Sequence, residues 1–117
     1  MRHILLVDDN PDTLEFLRIF LLLQEYEIIT AQDGSEALSL LETQSVSLIL
    51  SDIAMPGLNG YQLCQQIKSA VDPHLVLTPI ILMSGRALDS NIHYAKSLGA
   101  DDYLTKPFDL DDVLAVV

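Results

Sequence analysis

Residues 4–11 read Ile-Leu-Leu-Val-Asp-Asp-Asn-Pro, a short apolar run followed by two acids and a helix start signal. Asn10 belongs to a residue type that caps helices well, and Pro11 suits the first helical position because the N–H it lacks has no helical partner there. The run Ile4–Val7 is apolar without alternation, as expected for a strand covered by helices on both faces. This stretch therefore predicts a buried strand that passes directly into a helix.

The same β-then-α pattern repeats along the chain. The five β-rich runs are Ile4–Val7, Glu27–Thr30, Leu48–Leu50, Ile80–Met83 and Tyr103–Thr105. Runs of this kind that alternate with helical segments indicate the α/β class, with a doubly wound five-stranded parallel sheet. Because a chain of 117 residues that is 50% apolar builds one core, we expect a single domain over residues 1–117.

The first and the last predicted helix allow further predictions. In the first helix Leu14, Leu17 and Leu21 form the expected core stripe, while a second apolar row could be either packing or a docking face. That row consists of Phe16, Phe20 and Leu23. The last helix opens at Asp109 and stops at Val117 without a glycine cap or a polar last turn. We therefore expect that helix to be truncated and the chain to be part of a longer protein.

The net charge of the chain limits the kinds of partner that it can bind. The chain has 17 acidic and 6 basic side chains, a net charge of -11 that repels nucleic-acid phosphates and anionic lipid surfaces. It has one cysteine, Cys64, so it forms no internal disulfide. No apolar run approaches the roughly 20 residues that span a bilayer, and the start lacks a signal peptide. These features predict a cytoplasmic domain that binds neither nucleic acid nor membrane directly.

Polar side chains stand where the predicted strands end. Asp8 and Asp9 follow the first strand, Asp52 follows the third, Ser84 the fourth and Lys106 the fifth. In an open parallel sheet the carboxyl ends of the strands share one rim, where ligands bind. Each residue taken singly is ordinary loop or capping chemistry, but the joint pattern predicts one functional site.

The chemistry of this set points to phosphate. Three neighbouring carboxylates repel one another unless a cation neutralises them, and hard oxygen ligands suit Mg²⁺. A lysine and a hydroxyl at the same rim are suited to share the charge of a transferred phosphoryl group. The sequence thus predicts a magnesium site that places phosphate on a carboxylate.

The strand ends also resemble a known family. In order and at family-like spacing the chain carries Leu-Val-Asp8-Asp9-Asn, Ser-Asp52-Ile-Ala-Met55-Pro56-Gly57-Leu-Asn-Gly60, Met-Ser84-Gly85 and Leu-Thr-Lys106-Pro107-Phe108. Over essentially its whole length it is similar to the CheY-like receiver domains of two-component response regulators. The resemblance implies a flavodoxin-like sheet with strand order 2-1-3-4-5.

The resemblance implies a role for each acid. Asp52 would be the phosphoacceptor. Asp9 and Asp52 would ligate Mg²⁺ directly, Asp8 mainly through water, and the backbone carbonyl of Ala54 would complete the protein ligands. The two positions that would tune the lifetime of the phosphate hold Ala54 and Arg86. Arg86 would shield the phosphoryl group if it points inward, and would otherwise be a solvated loop residue.

The resemblance also implies a switch. Ser84 would hydrogen-bond the phosphoryl group, Lys106 would pair with its oxygens, and a cis bond to Pro107 would aim that lysine. Tyr103 would turn inward on activation and change the face made by the fourth helix, fifth strand and fifth helix. A histidine kinase or histidine phosphotransfer domain would supply the phosphoryl group, and an output domain or target protein would respond. Such a domain is a signalling phosphoprotein rather than an enzyme.

The same residues bear on three other possible functions. A pseudo-receiver would keep this fold as a phosphorylation-independent interaction module. A phosphohydrolase with an aspartate nucleophile is disfavoured, because Ala54 cannot move a proton. A flavin carrier is disfavoured as well, because Asp8 and Asp9 would repel its phosphate.

Overall fold

Five parallel strands form one sheet in the computed structural model, which describes residues 3–85, 89–105 and 110–116. The strands are β1 (His3–Val7), β2 (Glu27–Ala31), β3 (Leu48–Asp52), β4 (Ile80–Ser84) and β5 (Asp102–Thr105). Their order is β2-β1-β3-β4-β5, and every pairing is parallel. The expected strand order is confirmed, and each strand is slightly longer than its apolar run.

Helices cover both faces of this sheet. They are α1 (Pro11–Leu23), α2 (Gly34–Thr43), α3 (Gly60–Lys68), α4 (Pro73–Leu77), α5 (Asp89–Ser97) and α6 (Leu110–Val116). Buried side chains of α1 and α6 share one core with the sheet, and those of α2, α3 and α5 share the other. The doubly wound architecture is therefore confirmed. Across the described residues, no helix combines the length and the apolar character needed to cross a membrane.

The first helix begins as its sequence predicts. The Asn10 side chain accepts a hydrogen bond from the Asp12 amide at 2.9 Å, and Pro11 occupies the first turn. The predicted stripe of Leu14, Leu17 and Leu21 is buried. In the second apolar row, Phe16 and Leu23 are exposed, while Phe20 is half-buried against the core.

The short helix α4 was not predicted. Its start signal is present, because Asp72 accepts a hydrogen bond from the His74 amide at 2.9 Å and Pro73 follows the cap. Five residues are too few for the apolar periodicity that identifies a helix in sequence. Because of this additional helix, the face predicted as fourth helix, fifth strand and fifth helix corresponds to α5, β5 and α6.

Lys68 joins the segments at the amino-terminal end of β4. Its Nζ donates hydrogen bonds to the carbonyl oxygens of Val76 at 3.2 Å and Thr78 at 2.9 Å. It also pairs with Asp101 Oδ2 at 3.4 Å, and the same oxygen accepts from the Ile80 amide at 2.9 Å. One ammonium group thus holds the end of α3, the end of α4 and the segment before β5 together.

We expect Lys68→Met to lower the free energy of unfolding by about 2 kcal/mol, because it leaves partly buried carbonyl groups without their donor. Urea denaturation measures this change. Lys96→Met is the matched control, since Lys96 is exposed in the last turn of α5 and its loss should change stability by no more than about 0.5 kcal/mol. Equal effects of the two substitutions would contradict the bridging role of Lys68.

Candidate functional site

Three aspartates meet at the carboxyl end of the sheet. Asp8 and Asp9 follow β1, and Asp52 is the last residue of β3. Each offers a carboxylate oxygen, and these oxygens all lie within 4.8 Å of one another. Asp8 is 1% exposed and Asp52 6% exposed, whereas Asp9 lies at the surface. The structure thus brings together the three acids that the sequence placed at one rim.

The turn after β1 holds Asp8 in place. The Asp8 amide donates to the carbonyl of Ala31 on the neighbouring strand at 3.1 Å. One carboxylate oxygen of Asp8 accepts a hydrogen bond from the Asn10 amide at 2.9 Å. Since Asn10 also caps α1, the position of this carboxylate is tied to both the sheet edge and the start of the helix.

The loop after β3 fixes the backbone around Asp52. The Ile53 amide donates to the carbonyl of Met83 on β4 at 3.0 Å, and the Gly60 amide donates to the Ile53 carbonyl, also at 3.0 Å. The buried Ser51 hydroxyl donates to the Asp52 carbonyl at 3.0 Å. A Cβ at Gly60 would lie 2.4 Å from that carbonyl oxygen. Only glycine permits α3 to start this close to the end of β3.

A capping box sets the direction of α3. The Asn59 side chain accepts from the Gln62 amide, and the Gln62 side chain accepts from the Asn59 amide, both at 2.9 Å. These two hydrogen bonds satisfy backbone amides at the amino-terminal end of α3, which have no partner within the helix. They also place Gly60 in the first turn, directly beside the end of β3.

Of the remaining predicted site residues, the structure describes three and leaves three outside the described ranges. Ser84 ends β4 half-buried, in register with Thr105 of β5. Ala54 is exposed in the loop after β3, and Tyr103 is half-buried in β5, packed against the core that α3 and α5 share. The roles predicted for Arg86, Lys106 and Pro107 fall on positions outside the described residues.

Sequence reasoning missed a tyrosine beside the predicted switch. The ring of Tyr61, in the first turn of α3, packs edge-on against that of Tyr94 on α5 at a centroid distance of 4.9 Å, and Tyr61 and Tyr103 both lie against the same core. Burial raises the pKa of Tyr61 above its ordinary value, and the negative charge that a deprotonated Tyr103 would carry raises it further. Helical periodicity marks Tyr61 only as a residue at a helix start, so no local signal reveals these distant partners.

The donor set at the rim fits a hard cation. All three side chains offer carboxylate oxygens, the ligands that Mg²⁺ takes in proteins, and their mutual repulsion favours a bound positive charge. Within the part of the chain that the structure describes, no other group of three or more His, Cys, Asp or Glu side chains comes together in this way. Cys64 lies in the core instead, where burial raises the pKa of its thiol.

Comparisons with known proteins agree with this geometry. The family model described as the response regulator receiver domain matches residues 4–117. Response regulator GtcR of Aneurinibacillus migulanus is 37% identical over 92% of the chain, and the nisin biosynthesis regulatory protein NisR of Lactococcus lactis is 35% identical over 97%. The chain spans 42% and 48% of these two relatives, or about half their length.

Solved structures give the same result. Chemotaxis protein CheY4 of Vibrio cholerae superposes with a TM-score of 0.92 at 28% identity, covering 99% of this chain and 95% of its own. The receiver domain of a sensor histidine kinase from Pseudomonas aeruginosa superposes with a TM-score of 0.87 at 30% identity, covering 98% and 93%. That second structure has a magnesium ion coordinated in its active site cleft.

Proposed function

This chain belongs to the response regulator receiver domain family, and from that membership we propose that it is a phosphorylation switch whose acceptor is Asp52. Phosphorylation-dependent signalling is the function that the family membership supports. The observation that carries the choice of Asp52 is its buried carboxylate at the end of β3, clustered with those of Asp8 and Asp9. A phosphoryl group on Asp52 would lie at the rim of the sheet, beside the side chains of Asp8 and Asp9 from the end of β1.

The proposed reaction is transfer from a phosphohistidine. A carboxylate oxygen of Asp52 attacks phosphorus, the P–N bond breaks as the P–O bond forms, and the departing imidazole takes up a proton. Asp8, Asp9, Asp52 and the carbonyl of Ala54 would hold Mg²⁺, which when bound would neutralise charge on the carboxylates and the phosphoryl oxygens. Apart from the attacking carboxylate of Asp52, the protein contributes positioning and electrostatics.

We propose that two further side chains bind the phosphoryl oxygens. Lys106 would pair with one of them, aimed by a cis bond to Pro107, and the Ser84 hydroxyl would donate to another. As Ser84 is drawn toward the phosphate, Tyr103 turns inward, and the face made by α5, β5 and α6 changes shape. Charge at Asp52 is thereby converted into a new surface for a partner.

Two positions would set the lifetime of the phosphate. Hydrolysis needs a water aligned opposite the leaving carboxylate, so side chains in that path control the rate. Ala54 neither blocks nor orients such a water. Arg86 carries a planar cationic fork that can reach a phosphoryl oxygen or cover the approach, and we assign it a shielding role.

The partners follow from the proposed reaction. We infer that residues 1–117 are the receiver part of a cytoplasmic protein, phosphorylated by a histidine kinase or a histidine phosphotransfer domain. The length of the curated relatives, about twice the matched region, supports an output domain beyond it. The net charge of -11 argues against direct binding of this domain to nucleic acid.

Incubation with acetyl phosphate and Mg²⁺ tests the proposal. We expect intact-mass spectrometry to detect the addition of one phosphoryl group, and we expect EDTA to prevent it, because the clustered carboxylates would otherwise repel the incoming phosphate. Hydroxylamine should release the group, as it does from an acyl phosphate. If no mass is gained with Mg²⁺ present, the chain acts instead as a phosphorylation-independent interaction module; equal gain in EDTA would contradict the magnesium site.

A further inference from the structure

We propose that Ser51 is a positioning residue of the phosphorylation site, because its hydroxyl fixes the peptide group that joins Asp52 to Ile53. This role rests on the proposed function and deepens it, since it concerns how the same site is held ready for Mg²⁺ and phosphate. Ser51 is fully buried within β3, so it acts through the backbone of its neighbours rather than by touching the phosphoryl group.

Ser51 is a polar side chain at a position where its surroundings are apolar. It follows three buried residues of β3, Leu48–Leu50, and lies in register between Val7 of β1 and Leu82 of β4. Both Val7 and Leu82 pack in the core on the α3 side of the sheet. A hydroxyl in such surroundings costs free energy unless it makes a hydrogen bond. The hydrogen bond of Ser51 therefore offsets a cost that alanine or valine would not incur here.

The peptide group after Asp52 is held at both of its polar ends. The Ser51 hydroxyl donates to the carbonyl of Asp52 at 3.0 Å. The amide of the same peptide group, that of Ile53, donates to the Met83 carbonyl on β4 at 3.0 Å. Because a peptide group is planar, these two hydrogen bonds fix the orientation of the whole group. Rotation about the Cα–C bond of Asp52, which sets the direction of its carboxylate relative to the loop, is thereby restricted.

The same peptide group leads into the loop that carries Ala54. The Ile53 carbonyl accepts hydrogen bonds from the amides of Met55 at 3.1 Å and Gly60 at 3.0 Å. The Met55 amide belongs to the same peptide group as the Ala54 carbonyl, the backbone oxygen that we propose as a ligand of Mg²⁺. The hydrogen bonds after β3 thus hold successive peptide groups from the acceptor to this ligand. A change in the first of them reaches both the carboxylate of Asp52 and the Ala54 carbonyl.

Removal of one hydroxyl tests the role. In Ser51→Ala we expect Mg²⁺ to bind about threefold more weakly and phosphorylation by acetyl phosphate at saturating Mg²⁺ to slow about fivefold, because a hydrogen bond that holds the reacting geometry is lost. Ser51→Thr keeps the hydroxyl and should restore both values to within about twofold. Thr78→Val is the matched control, since it removes a buried hydroxyl that donates to the His74 carbonyl at 2.8 Å. That hydroxyl lies before β4, at the opposite end of the sheet, so both values should stay at the parental level.

A second readout does not depend on phosphorylation. In the metal-free protein, we expect Ser51→Ala to speed hydrogen exchange of the Ile53 amide more than that of the Ile49 amide, which donates to the Pro79 carbonyl near the other end of β3. A general loss of stability would speed both amides equally. If the parent protein gains no phosphoryl group, the proposed function fails, but the exchange of Ile53 still decides the role of Ser51. Equal acceleration of the two amides, or a phosphorylatable parent whose Mg²⁺ affinity and rate are unchanged in Ser51→Ala, would overturn this inference.

Discussion

Asp52→Asn is expected to abolish phosphorylation by acetyl phosphate while the fold is retained. The amide has nearly the shape of the carboxylate but lacks the anionic oxygen that attacks phosphorus. Asp52 is 6% exposed and clustered with Asp8 and Asp9, so the substitution also removes one of three mutually repelling charges. We therefore expect the metal-free variant to be no less stable than the parent, and its Mg²⁺ affinity to fall.

Asp12→Asn provides the matched comparison, because Asp12 is exposed in the first turn of α1 and lies outside the carboxylate cluster. This variant should gain the phosphoryl group as the parent does. Circular dichroism and thermal melting check that both variants are folded. Stoichiometric phosphorylation of Asp52→Asn at the parental rate would show that another residue is the acceptor.

Gly60→Ala is expected to have the second largest effect, on both folding and phosphorylation. The added Cβ would lie 2.4 Å from the Asp52 carbonyl oxygen and 2.8 Å from the Ile53 Cα, both of them backbone atoms that cannot turn aside. Overpacking of this kind costs roughly 1–3 kcal/mol, and we expect the upper end here. The alternative to that cost is movement of the strand end, and a shift of about 1 Å in a reacting group can slow a reaction about 100-fold.

Gly85→Ala is the control for stability. Among the described residues other than its chain neighbours, no atom lies within 4 Å of the position that a Cβ at Gly85 would take, and Gly85 is not in the left-handed region. Urea denaturation should give this control a free energy of unfolding within about 1 kcal/mol of the parent. If Gly60→Ala were as stable as the control and were phosphorylated at the parental rate, the close approach of α3 to β3 would not matter for function.

The sequence by itself determined the α/β class, the five strands and the acids at their ends. It could do so because these are local properties: a buried parallel strand is a continuous apolar run, and a residue that follows such a run must lie at the rim of the sheet. Asn10 and Pro11 likewise identify the start of α1 from their own chemistry. The convergence of Asp8, Asp9 and Asp52 follows from the topology of the sheet alone, so the sequence is enough to predict it.

Tertiary structure decided the contacts between residues distant in sequence. The edge-on contact between Tyr61 and Tyr94, the 2.4 Å approach at Gly60 and the hydrogen bonds from Lys68 to Val76 and Thr78 all depend on how closely the helices lie on the sheet and on one another. Apolar periodicity reports which face of a helix is buried but not its distance or rotation relative to a neighbour. Those quantities are set by side-chain packing over the whole core, and for that reason only the folded chain reveals the partner of Tyr61.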